Sequence, residues 1–262
     1  MTIFDSILFG IVEGLTEFLP ISSTAHLIIT SKFLNIPSND FIKFFEIFIQ
    51  TGAILSVIVL YFKYILKNKD LIIKIIISFI FTSLIALPLY KIIKNIFFES
   101  MSLIIFNMIF LGIIIIILEI LIKKNKIFIN KDLQSLTIKD AILIGIAQAL
   151  SVMPGVSRAG AVILIMFLLK YKRKEAVLYS FLLSVPTIIS AGLFDLYKMG
   201  FDKIFLSAQN LNIVIFGFLS SFISALIVIK LFIMYLQRND LKIFGYYRII
   251  LGIILYFIFF LI

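Results

Sequence analysis

The sequence predicts an all-α integral membrane protein with six transmembrane helices and two re-entrant helical hairpins, arranged as an inverted repeat. Three observations carry this. Of the 262 residues, 62% are hydrophobic and 15% charged, with a mean hydropathy of +1.19, whereas a soluble domain sits near half apolar and a quarter charged. Two apolar regions are interrupted by Pro, Gly, Ser and charged residues. Those regions resemble each other, and each precedes three uninterrupted apolar runs.

The uninterrupted runs are 41–61, 71–90, 103–122, 176–196, 211–236 and 243–262, each near the roughly 20 residues that a bilayer crossing needs. The first interrupted region, 3–34, contains Glu13, Glu17, Pro20 and His26 with the run Ser22-Ser23-Thr24. The second, 141–169, contains Gln148, Pro154, Gly155, Ser157, Arg158 and Gly160. In it 13 residues precede Pro154 and 9 follow Gly160. At about 1.5 Å per residue neither piece crosses a ~30 Å core. A kinked single span would satisfy that region taken alone.

The internal repeat favours hairpins. Gly10-Ile11-Val12-Glu13-Gly14-Leu15-Thr16 matches Gly145-Ile146-Ala147-Gln148-Ala149-Leu150-Ser151, and both continue to a proline and then to Ser22-Ser23 or Ser157-Arg158. One polytopic domain over 1–262 follows, with repeat one at 1–125 and repeat two at 138–262. If both hairpins are re-entrant, one face carries 14 Lys and Arg and the other 6, so the first is expected to be cytoplasmic. Three spans per repeat invert the second half, bring the breaks together near the midplane and leave both termini outside.

Composition excludes several functions. No cysteine means no disulfide, thiolate metal site or cysteine nucleophile, and one histidine rules out a multi-histidine metal site. The net charge of +10 comes from short clusters between apolar runs, which fits membrane topology and predicts no nucleic-acid partner. The first residues carry Asp5 and no cation, so no cleavable signal peptide is expected.

Charges inside hydrocarbon cost roughly 2.5–3.5 kcal/mol each even on the lenient insertion scale, so Glu13, Glu17 and Arg158 need a reason. Glu13 and Glu17 are four apart and share a helical face, which calls for a shared proton, cation or metal ion. A purely structural role would pair either with Arg158 to tie the two breaks. Ser22, Ser23 and Thr24 suit a helix cap and a phosphate ligand alike. The loop Pro154–Gly160, with Gly155, Ser157 and Arg158, forms an anion cradle at a helix start. Glu46 and Gln50 share a face and could support the site or pair with a lysine. Asn107 and Asp195 suggest packing, and Arg248, near a span end, is expected to snorkel to water.

Glu13-Gly14-Leu15-Thr16-Glu17-Phe18-Leu19-Pro20-Ile21-Ser22-Ser23-Thr24-Ala25-His26 and Pro154-Gly155-Val156-Ser157-Arg158 closely resemble the bacitracin-resistance type of undecaprenyl-diphosphatase. The stretches 45–54 and 180–186 also look like family segments. The resemblance implies hydrolysis of a long-chain polyprenyl diphosphate to the monophosphate carrier of cell-wall synthesis. It further implies a multi-pass plasma-membrane protein with an outward-facing site and a divalent cation, Mg²⁺ or Ca²⁺. By resemblance, Glu13 and Glu17 form the metal pair, and Glu17, Ser23, His26 and Arg158 are catalytic. Ser22, Gly155, Ser157 and Arg158 would bind substrate. The chain departs from the family pattern at Ala159 and Val162, usually Ser and Thr, which removes two candidate phosphate donors.

Two routes remain open at this level: Ser23 attacks with His26 as base, or His26 and a Glu activate water. A homodimer is compatible with the sequence. From another class, a polyprenyl-phosphate flippase without hydrolysis would use the same inverted repeats, with the acids as a cation relay and Arg158 as anion clamp. A structural membrane subunit would leave the buried charges unexplained.

Overall fold

Where the interrupted regions were expected, the chain forms two pairs of short helices. The computed structural model describes residues 1–37, 39–96, 100–199 and 208–260. Helix α1 (Ile3–Thr16) is followed by α2 (Ser23–Phe33), and α6 (Ile138–Ala149) by a 3-10 turn and α7 (Arg158–Leu168). At 14, 11, 12 and 11 residues these helices run about 17–21 Å, too short to cross ~30 Å alone. The long helices are α3 (Asp40–Lys67), α4 (Lys69–Ile96), α5 (Met101–Lys123), α8 (Arg173–Met199), α9 (Ala208–Leu236) and α10 (Lys242–Phe260). All six are long and apolar enough to cross a membrane.

The long helices exceed the apolar runs at several ends. Helix α3 continues to Lys67 and α4 begins at Lys69, because lysine favours helix and its long stem lets the charge reach water. Residues 261 and 262 and the side chain of Asp195 lie outside the described residues. Among the described residues the one extended pairing is an isolated bridge between Lys131 and Tyr171.

The two broken regions are capped alike. Thr2 and Asp5 close a capping box on α1, and Thr137 and Asp140 do the same on α6. Each satisfies two free N–H groups of the first turn, and loss of such a cap costs about 1 kcal/mol. Ser22 and Ser157 precede the two return helices with φ of 73° and 69°, a left-handed conformation that is strained for any residue with a Cβ. The same unusual joint therefore occurs in both breaks.

Partners are exchanged between the halves. Helix α1 packs on α9, and its counterpart α6 packs on α4, while α3 meets α8 and α5 meets α10. Glycine permits both crossings. A Cβ on Gly10 would strike the carbonyl of Gly217, and one on Gly145 the carbonyl of Ser78. Apolar side chains such as Phe62, Leu84, Phe110 and Ile250 point outward. The main core gathers Phe18 from the first break with Phe181 of α8, ring centroids 5.1 Å apart at 79°.

One end of the bundle is pinned by charge. Glu119, fully buried near the end of α5, pairs with Arg173 at the start of α8 and accepts from the Leu241 N–H between α9 and α10. Lys172 and Asp132 pair nearby at 2.7 Å. This is the end where the cation-rich loops gather.

Candidate active site

Glu17 stands at the C-terminal edge of α1, its N–H still bonded to the carbonyl of Glu13 at 2.9 Å. Beyond it Pro20 cannot donate a backbone hydrogen bond, and the chain turns to Ser22. That turn brings Ser23 back beside Glu17. The Ser23 hydroxyl donates to Glu17 Oε2 at 2.6 Å, and Arg158 Nη2 donates to Glu17 Oε1 at 2.8 Å. The two breaks thus meet at one carboxylate. Arg158 also donates from Nη1 to the carbonyl of Ser180 at 3.1 Å.

Helix α7 begins at Arg158, with the Ser157 hydroxyl accepting from the Gly160 N–H at 3.2 Å. Other N–H groups of this first turn have no helix carbonyl to meet, which makes an anion site. Gly155 has φ +88°, and a Cβ there would lie 2.6 Å from the carbonyl oxygen of Ile104. The turn needs glycine on both counts. Asn107, expected only to pack, donates to the Pro154 carbonyl at 2.8 Å and braces this loop from α5.

Glu17, Ser22, Ser23, Gly155, Ser157 and Arg158 line a cavity of about 730 Å³. Lys32, Lys43 and Met101 also line it, so it extends toward the bundle end opposite the Glu119–Arg173 pair. Glu46 and Gln50 are on its wall, with Glu46 accepting from Ser31 at 3.4 Å. Ala159 and Val162 are buried in the main core and do not line it.

Glu13 is fully buried one turn before Glu17, and among the described residues no group donates a hydrogen bond to either of its carboxylate oxygens. In the second repeat Gln148 holds the equivalent position. It spends its amide on Thr82 and Thr187, at 3.1 and 3.0 Å. Glu13 has no such hydroxyls and is therefore fitted for a proton or a cation. Among the described residues no group of three His, Asp or Glu converges as a metal cage. A cation here would take Glu13 and Glu17 and complete its shell with water and substrate oxygens, as Mg²⁺ commonly does.

His26 is one turn from Ser23 yet points elsewhere. Its Nδ1 is 2.7 Å from the Ser22 carbonyl, and its Nε2 is 2.6 Å from the Tyr247 hydroxyl with the two rings within 5° of parallel. A carbonyl can only accept, so Nδ1 carries the proton and Nε2 accepts from Tyr247. The histidine holds the backbone next to Ser23, and the hydroxyl of Ser23 is bonded to Glu17.

Two residues beyond the expected set belong to this centre. Tyr247 orients His26. Arg248 does not snorkel: it is fully buried and bonded to backbone carbonyls of both breaks. A guanidinium with enough carbonyl acceptors can remain inside, and those acceptors come from distant chain segments that sequence spacing cannot reveal.

Residues 6–254 match the family described as bacitracin resistance protein BacA. A relative from Aquifex aeolicus, named undecaprenyl-diphosphatase, is 43% identical over 254 residues and 97% of each chain. One of the same name from Sulfurihydrogenibium sp. is 43% identical over 256 residues, 98% of this chain and 99% of the relative. A third, from Wolinella succinogenes, is 43% identical over 257 residues and 98% of each chain.

Proposed function

The chain belongs to the bacitracin resistance protein BacA family, and on that premise we propose that it is an undecaprenyl-diphosphatase. It hydrolyses undecaprenyl diphosphate to undecaprenyl phosphate and phosphate, recycling the carrier lipid of cell-wall synthesis. The observation that carries the chemistry is the chain Ser23–Glu17–Arg158, which joins the two breaks on one cavity wall. Flippase activity without hydrolysis is not favoured, since the relatives are named for the phosphatase.

The reaction follows from those contacts. The diphosphate enters the cavity with its terminal phosphorus against Ser23, and apolar residues such as Ile28, Ile42 and Ile188 meet the first isoprene units. Ser23 Oγ forms a bond to phosphorus as the bridging P–O bond breaks, and that electron pair leaves on the lipid phosphate. The Ser23 proton passes to Glu17 Oε2, already 2.6 Å away. Arg158 and the N–H groups opening α7 stabilise the charge on the transferred phosphoryl oxygens. Water then attacks phosphorus as the P–Oγ bond breaks; Glu17 returns its proton to the serine oxygen, and the protons of the water leave on the released phosphate.

A divalent cation, Mg²⁺ or Ca²⁺, belongs to this reading, held by Glu13 and Glu17. The hard carboxylate donors and the two unpartnered oxygens of Glu13 support it. When bound, the ion neutralises diphosphate charge and polarises the bridging bond.

The protein is a multi-pass plasma-membrane enzyme whose cavity opens outward, with the two breaks as re-entrant hairpins of an inverted repeat. The exchanged packing of α1 on α9 and α6 on α4 supports the inversion. The cavity's extension away from the cation-rich end supports the orientation. The activity is proposed equally for a single chain and for a homodimer.

The test is inorganic phosphate release from a long-chain polyprenyl diphosphate by the detergent-purified protein with Mg²⁺ or Ca²⁺. Turnover lost in Arg158→Ala and Glu17→Ala, both still folded, is the expected result. Lipid binding without phosphate release under any divalent ion would remove the enzyme reading.

A further inference from the structure

Among the described residues Arg248 is the largest fully buried side chain, and none of them gives it a carboxylate partner. Its acceptors are all backbone carbonyls. Nε donates to Met108 at 3.1 Å and Nη1 to Pro20 at 3.1 Å. Nη2 lies 2.6 Å from the carbonyl of Gly155, 3.2 Å from that of Asn107 and 3.4 Å from that of Val156. One planar guanidinium thus reaches the first break, the second break and α5 together.

We propose that Arg248 is a positioning residue for the hydrolysis: it fixes the spacing of the two breaks and thereby the approach of Arg158 to Glu17 and Ser23. The proposal rests on the diphosphatase reading. Arg248 does not line the cavity and is sealed from solvent, so it acts through the loops rather than on the substrate. Three of the carbonyls it holds, those of Pro20, Gly155 and Val156, lie one or two residues before Ser22 or Ser157. Drawing those carbonyls toward α10 fixes the peptide planes that lead into α2 and α7. Glycines let α10 come close enough, since Gly245 and Gly252 would collide with Ile116 and Ile109 if they carried a Cβ.

A fork is required, not merely a charge. Lysine would keep the cation but has neither the planarity nor the reach to hold Pro20, Gly155 and Met108 together. A salt bridge of ordinary structural type would tolerate that exchange better.

The experiment compares parent, Arg248→Lys and Arg248→Met in kcat and KM for a long-chain polyprenyl diphosphate, with thermal unfolding in detergent. A second readout uses the absence of native cysteine. Thr24→Cys and Leu150→Cys, both exposed positions flanking the breaks, carry spin labels for distance measurement. The expected result for folded Arg248→Lys is a kcat reduced at least tenfold, KM within threefold, and a broadened distance distribution. Unchanged kcat and an unchanged distribution would overturn the proposal, as would activity loss that merely follows the folded fraction. If the parent itself releases no phosphate, the diphosphatase reading fails, while the distance distributions still decide whether Arg248 sets the spacing.

Discussion

Arg158 and Glu17 lie 141 positions apart in the chain, yet the guanidinium of the first donates to the carboxylate of the second at 2.8 Å. The pair is largely buried, with side chains 11% and 7% exposed. It is at once the joint between the two breaks and part of the proposed reaction centre. Removing one partner strands a charge, so Glu17→Gln is expected to destabilise by about 3–5 kcal/mol. The double variant Glu17→Leu/Arg158→Leu should recover much of that stability and no activity. Thermal unfolding beside phosphate release checks both halves. Activity in the double variant would make the pair only a structural joint.

The proposed cation site rests on the unpartnered carboxylate of Glu13. Glu13→Gln should raise the Mg²⁺ or Ca²⁺ concentration for half-maximal turnover by about tenfold or more, since one of the two proposed ligands would be lost. Chelation should abolish turnover in the parent, and the divalent ion should restore it. An unchanged titration curve in Glu13→Gln would remove Glu13 from the ion.

The Ser22 carbonyl sets the tautomer of the chain's one histidine, and the Tyr247 hydroxyl donates to its free Nε2. In Tyr247→Phe the Nε2 acceptor loses its donor, a net loss of about 1 kcal/mol. Because no other imidazole contributes, ¹⁵N spectra of His-labelled protein report His26 alone. The parent should show the Nδ1–H form, and the variant the same form with a shifted Nε2 resonance, with turnover reduced about tenfold. A mixed tautomer in the parent would contradict the orientation.

Restoring hydroxyls at the two positions that depart from the family pattern should gain little. Ala159 and Val162 are packed in the core, and neither lines the cavity. Ala159→Ser and Val162→Thr are expected to stay within about threefold of parent turnover, any new hydroxyl bonding a carbonyl of its own helix. A larger rise would mean that those side chains reach the substrate.

The sequence made the breaks, their acids and Arg158 visible because polar groups in hydrocarbon are rare and need a reason. It also revealed the repeat, from Gly10 and Gly145 to the serines that start the return helices. Arg248 was not legible: a cation near the end of an apolar run suggests snorkelling, and its carbonyl acceptors leave no mark in the residue types. The role of His26 was similarly hidden. Spacing puts it one turn from Ser23, but only the fold shows that Tyr247 draws the ring aside and leaves Ser23 to Glu17. The Glu119–Arg173 pair escaped notice because Glu119 lies inside an apolar run and its partner 54 positions on counts, in the sequence, simply as one of a cluster of charges.

The most direct test of the reaction centre is a single turnover with polyprenyl diphosphate labelled in its terminal phosphate, quenched in acid and followed by peptide mapping. The account predicts label on Ser23, absent from Ser23→Ala, which also releases no phosphate. Full phosphate release with no labelled protein, and activity surviving in Ser23→Ala, would contradict it.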